Sequence, residues 1–218
     1  MSVQRTIGRR ASMLRVAFAL LFAGLLAGCN TTLHIEKPDP ASGLYATQTT
    51  LKPADVRIEK KFDPTYTRMV YLKVDAETPN PQFVDFFVSA LKDMHTFQTV
   101  TTKDDLEAIV IGRNLGSKVP SLSDLVGLNN LSKQIGPFLI VEPNAVFKGG
   151  YNWEGTLKAI DASTGQTVLL IKISAFNMAG LDEPLFHPML NGFINWTRGQ
   201  PVARVAPMTA QQANAAEP

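Results

Sequence analysis

Apolar and polar residues alternate with a period of two at residues 69–74, where Val70, Leu72 and Val74 share one side, and this predicts a half-buried strand. Asn80 and Pro81 then predict a helix start, the asparagine as cap and the proline in the first turn, where its missing N–H costs nothing. Phe83, Phe87, Ala90, Leu91 and Met94 recur at helical spacing, and Phe86 widens the stripe into a broad aromatic face. Residues 97–101 and 108–111 read as two short strands with 103–106 between them. A loop marked by glycine and proline at 112–120 precedes a second helical stripe, Leu122, Leu125, Val126, Leu128, Leu131 and Ile135, which Gly136 and Pro137 end. Three strands follow. In the first, 138–147, Pro143 marks a bulge or an edge, and Lys148, Gly149 and Gly150 turn the chain back. In the second, Tyr151, Trp153, Gly155, Leu157 and Ala159 face one way, while Asn152, Glu154, Thr156 and Lys158 face water. A hairpin loop at 161–166 leads to the third, 168–173, apolar on both faces apart from Lys172 and so expected near the sheet centre. A last helix over 183–196 carries Leu185, Phe186, Met189, Leu190, Phe193 and Trp196. Pro188 delays its start, and Gly192 costs it ~1 kcal/mol of propensity relative to alanine, so tertiary burial must hold it.

This order predicts an α+β fold in two layers, an antiparallel or mixed sheet of about five to six strands with about three helices packed mainly on one face. The globular part is expected over residues 66–200, roughly the commonest domain size and large enough to fold without covalent staples. Residues 29–65, punctuated by Pro38, Pro40, Pro53 and Pro64, read as an extended tether, of which 56–62 is the part that can pack along the domain edge. Residues 201–218, rich in Ala and Gln, read as a frayed tail.

The N-terminus changes the picture. Arg5, Arg9, Arg10 and Arg15 stand without an acidic residue near them, and Val16 to Leu26 is an almost wholly apolar run, too short for the ~20 residues of a membrane-spanning helix. Together they form a secretory signal over residues 1–28. The double arginine is explained as its basic region, and Ala11, Ser12 and Met13 are a poor fit to twin-arginine export. The signal closes on Leu26-Ala27-Gly28-Cys29, which resembles the lipobox of bacterial lipoproteins. The resemblance implies that Cys29 is acylated and becomes the first residue of the mature chain, with palmitate among its acyl groups. Several acyl chains would make attachment permanent, since each buried CH₂ adds ~0.8 kcal/mol. Asn30, where an aspartate would signal inner-membrane retention in such lipoproteins, implies transfer to the outer membrane, with the domain facing the periplasm or the cell surface.

Without the four arginines of the signal, 17 basic side chains stand against 19 acidic ones, so the mature chain carries a net charge of −2 and offers no general basic footprint for nucleic acid. Cys29 is the only cysteine, and once acylated it leaves no thiol for a disulfide, a metal or a nucleophile.

Chemistry-bearing constellations are sparse. His34 lies in the tether, Asp93 and His95 stand at a helix end, and Glu183 and His187 are four apart, a spacing that shares a helical face but lacks the third ligand a zinc site needs. No nucleophile elbow, phosphate loop or dinucleotide fingerprint is present, and no cofactor is expected. Asn30-Thr31-Thr32 and Asn195-Trp196-Thr197 match the glycosylation pattern, which has no bearing in a bacterial envelope. Tyr151, Trp153 and Trp196 can line a groove but are better read as core. The order of elements and the 161–166 turn resemble the TolB N-terminal and curli-secretion types of envelope lipoprotein, with no motif that carries a functional residue across. The expectation is a membrane-anchored, non-catalytic binding or assembly module. It touches lipid through acylated Cys29 and an envelope protein through a sheet edge or the 112–120 loop. Two alternatives stand beside it: an enzyme with a dispersed site near His95 or His187, and a lipid or small-molecule carrier with a cavity between the aromatic helix and the sheet.

Overall fold

The computed structural model describes residues 33–74, 80–176 and 180–203, so the expected secretory signal, Cys29 and most of the expected terminal tail lie outside the described residues. Six strands form one mixed sheet in the order β1-β6-β5-β4-β2-β3. They are β1 (Val56–Glu59), β2 (Val70–Leu72), β3 (Val100–Thr101), β4 (Leu139–Gly149), β5 (Asn152–Asp161) and β6 (Thr167–Phe176). β2 runs parallel to both of its neighbours, β3 and β4, whereas β4, β5, β6 and β1 are antiparallel in succession. Among the described residues four α-helices accompany them: α1 (Pro81–Asp93), α2 (Lys103–Gly112), α3 (Leu125–Ile135) and α4 (His187–Thr197). The class is α+β, as the element order predicts.

The helices divide between the two faces of the sheet instead of gathering mainly on one. Alternation explains why: in β2 and β4, Val70, Leu72, Leu139 and Val141 enter one core with α1 and α4, while Tyr71 and Ile140, with Phe138 just before β4, enter the other with α2 and α3. A strand buried on both faces loses the polar alternation that marks a one-sided sheet, and that is what the run at 138–141 shows.

One expected strand is a helix. Residues 108–111 look like a β-branched strand, yet they are the last turn of α2. The deciding signal stands upstream, where the Asp105 carboxylate accepts from the Thr102 backbone N–H at 2.7 Å and from its hydroxyl at 2.9 Å. This capping box starts the helix, and Leu106 and Val110, one turn apart, bury its apolar side. The 112–120 loop is not free: Leu115 and Val119 are buried in the second core, as is Leu122 just after it.

The expected tether is also largely part of the domain. Tyr45 and Leu51 are buried in the larger core, Leu33 and Leu44 pack against it, and β1 is an edge strand on β6. Val202, assigned to the tail, is buried there too. Gly192 makes room for this segment: a Cβ built there would stand 2.5 Å from Leu51 Cδ1 and 3.0 Å from Ile171 Cδ1. The helical propensity lost at Gly192 is thus exchanged for close approach of the N-terminal segment to α4. A π-turn, Asp182–Phe186, leads into α4 and lies over β5, where Gly155 leaves Leu185 and Met189 the space that a Cβ would occupy at 2.8 Å.

Candidate functional site

The N-terminal segment is fastened by a series of polar contacts. The His34 backbone N–H donates to Asp182 Oδ2 at 3.2 Å, and its ring Nδ1 lies 3.2 Å from the same oxygen. Eleven residues on, Asn191 clasps the backbone of Tyr45, its Oδ1 accepting from the N–H at 2.7 Å and its Nδ2 donating to the C=O at 2.9 Å. The Thr47 hydroxyl donates to the Glu183 carbonyl at 2.8 Å. A cleft of about 240 Å³ remains between this segment and α4, lined by Thr47, Thr49, Asn191 and Asn195.

His34 is the histidine that meets an acid, Asp182, whereas His95 and His187 serve the backbone. His95 is exposed, one residue past the C-cap of α1, with φ 50° and its N–H on the Lys92 carbonyl; it closes the helix in the left-handed conformation usual there. His187 is 1% exposed. Its ring stacks on Tyr45 with centroids 5.0 Å apart and faces Phe86 at 6.1 Å, and Nδ1 meets the Ala46 carbonyl at 2.9 Å. It is a clamp for the N-terminal segment. Burial pushes the neighbouring Tyr45 hydroxyl well above its ordinary pKa, and Asp93 adds to the shift. Glu183 lies in the π-turn before α4, its carbonyl taken by Thr47. Among the described residues, no group of three or more His, Cys, Asp or Glu could hold a metal ion. The space a carrier would need between α1 and its neighbours is filled by rings, with Phe87 and Phe83 4.9 Å and Phe87 and Phe186 5.2 Å apart.

A polar cleft of about 230 Å³ lies where β2 ends and β4 continues alone, at the carboxyl end of the parallel strands and beside the start of α2. Tyr71, Lys73, Lys103, Ser123, Glu142 and Asn144 line it. Lys73 Nζ is 2.7 Å from Glu142 Oε1, and Lys158, directly opposite Glu142 on β5, bonds its other oxygen. Burial works to raise the Glu142 pKa, but the hydrogen bonds from Lys158 and Lys73 outweigh it and hold the carboxyl below the usual range. Burial, with Glu142 and Glu107 nearby, pushes the Tyr71 hydroxyl up to about 12. The cluster sets two lysines about one carboxylate, an arrangement suited to polar recognition.

None of this cluster stood out in the sequence. Glu142 follows the apolar run of β4 and Lys158 belongs to the ordinary polar face of β5; their meeting depends on strand register. Pro143 lies on the edge of the sheet, as one of its two readings has it: its pairing with Leu157 is regular, and among the described residues no strand lies on the other side of β4 beyond Val141. The irregularity in β4 falls later, between Phe147 and Gly149.

No protein-family model matches the chain, and no curated protein does. Among solved structures it is similar to the LpoB C-terminal domain from Salmonella enterica, at 12% identity and a TM-score of 0.34 over 52% of this chain and 85% of that one. It is similar also to lipoprotein GNA1162 from Neisseria meningitidis, at 9% identity and a TM-score of 0.31 over 51% and 81%. A PelC dodecamer from Paraburkholderia phytofirmans aligns at 12% identity and a TM-score of 0.32 over 68% and 96%.

Proposed function

We propose that this chain is a lipid-anchored protein of the bacterial envelope, held to the outer membrane through acylated Cys29, and that it acts as a non-catalytic binding module for another envelope protein. The observation that carries the reading is the junction itself. The lipobox-like Leu26-Ala27-Gly28-Cys29 ends four residues before Leu33, the first described residue, which already packs on the domain. Anchor and domain are thus coupled with almost no spacer, an arrangement that serves position at a membrane. His95 caps a helix and His187 clamps a segment, so the observations that motivated an enzyme have structural uses. The binding surface is the charged cleft at Tyr71, Lys73, Lys103 and Glu142, whose volume suits a side chain or short segment of a protein better than a cofactor, which takes roughly 300 Å³ or more.

Two measurements test this reading. Mass spectrometry of the N-terminal peptide from native membranes is expected to show Cys29 as an acylated first residue, and an unmodified Cys29 behind an intact residue 1 would refute the anchor. A photo-crosslinking residue at Ser123, exposed beside the cleft, is expected to capture one envelope protein, with capture lost on charge reversal of Lys73 and Lys103. Recovery of monomer and abundant bystanders alone would refute the binding role.

A further inference from the structure

We infer that the distal end of the β4–β5 hairpin is a second membrane contact, inserting aromatic side chains into the interface of the bilayer that carries the anchor; this rests on the reading of Cys29 as the acylated residue. Phe147, Tyr151 and Phe176 are 55%, 50% and 62% exposed, unusual for rings of this size. They form one group at the end of the sheet. Phe147 stands opposite Trp153 with ring centroids 5.2 Å apart, Tyr151 meets Phe176 at 6.1 Å, and Phe176 ends β6 opposite Asn152. From Pro143 to Trp153 the only charged residue is Lys148, whose ammonium lies 3.4 Å from Glu154 Oε1, opposite Val146, so that its apolar stem can lie along lipid while the charged pair stays at the headgroups.

The anchor leaves the domain from this same end. Position along β6 can be read from what α4 and its π-turn touch. Trp196 donates to the carbonyl of Lys60, whose own N–H bonds Val168, whereas Gly192 lies against Ile171, and Leu185 lies over Gly155, opposite Ile173. Stepping back along the helix therefore moves toward Phe176, and Asp182, another turn back, holds His34 there. From residue 33 to residue 29 a fully extended chain reaches only about 14 Å, so a lipid on Cys29 brings the aromatic end to the headgroup level.

The distribution of the rings selects a bilayer over a protein partner. Phe147 and Trp153 belong to one face of the sheet, Val146 and Phe176 to the other, and Tyr151 to the turn between the strands. A folded partner covers one face; a fluid interface surrounds an end, and it favours tyrosine and tryptophan in particular.

The test uses the mature chain from residue 29, whose single thiol couples to a maleimide lipid, so it does not depend on acylation by cells. The chain has two tryptophans: Trp153 at the aromatic end, and Trp196 buried near Lys60 as an internal reference. In phosphatidylethanolamine–phosphatidylglycerol vesicles containing brominated phosphatidylcholine, coupled protein is expected to lose the Trp153 share of its emission relative to unbrominated vesicles. Phe147→Ser with Phe176→Ser is expected to abolish that loss while the chain still melts cooperatively, since both side chains are more than half exposed and only their ring contacts to Trp153 and Tyr151 are lost. Equal emission in the two vesicles, or equal quenching in the variant, overturns the inference, and equal emission leaves the aromatic end to a protein. Neither result bears on whether Cys29 is acylated in cells, which the mass of the native N-terminal peptide decides separately.

Discussion

Replacing Leu51 by alanine asks whether the N-terminal segment is spacer or core. Leu51 is 5% exposed and fills the groove opened by Gly192. The change removes three carbons, about 2.4 kcal/mol of transfer free energy at ~0.8 kcal/mol each, and the cavity left against α4 adds to it. We expect a loss of about 3 kcal/mol. At roughly 2–4 °C per kcal/mol for a chain of this size, the melting temperature falls by about 6–12 °C. The assay is thermal and urea denaturation of the chain from residue 29, followed by circular dichroism. A residue in a spacer would change stability by no more than about 0.5 kcal/mol, and a loss that small would refute the packing described for residues 33–62. A second variant guards against an unrelated cause. Gly192→Ala alone should destabilise, because its Cβ meets Leu51 and Ile171, and in the double variant the two losses should sum to less than their total, because the shortened side chain at 51 relieves the clash. Strict additivity would contradict contact between the two.

Glu142 has a folded pKa below its unfolded one, so its stabilisation is present above the unfolded value of about 4.3 and is lost as pH falls through the folded value. Glu142→Gln is expected to cost about 1–3 kcal/mol at pH 7 and to flatten the acid side of a stability-against-pH curve; an unchanged acid slope would exclude the cluster as its source. Gly155→Val should destabilise by at least ~1–3 kcal/mol, because Leu185 and Met189 already occupy the space of a Cβ, and thermal melting reads it directly. His95→Gly should leave the fold intact and raise stability by about 0.5–1 kcal/mol by relieving the left-handed backbone at φ 50°, whereas an unstable variant would give the ring a role beyond the cap.

Local chemistry settled much of this protein without any tertiary knowledge. Asn80 caps α1 by accepting from the Gln82 N–H, and the Asp161 carboxylate ties the β5–β6 turn through Ser163 and Thr164, because each bond spans three residues or fewer and is written in neighbouring side chains. The period of β5 and the aromatic stripe of α1 were equally legible, and the basic and then apolar pattern before Cys29 is read from the sequence alone. Packing decided the rest. Residues 33–62 lack a long apolar period because they meet the core at separate points, among them Tyr45 and Leu51, whose partners Asn191 and Gly192 lie more than a hundred positions away. Residues 108–111 carry a strand-like composition that a cap six positions upstream overrules. The charged cluster about Glu142 exists only because the β4–β5 register sets it against Lys158 and the end of β2 brings Lys73 beside it. Spacing along the chain reports contacts made within a turn or a strand; contacts made across the sheet become visible only when the strands are in place.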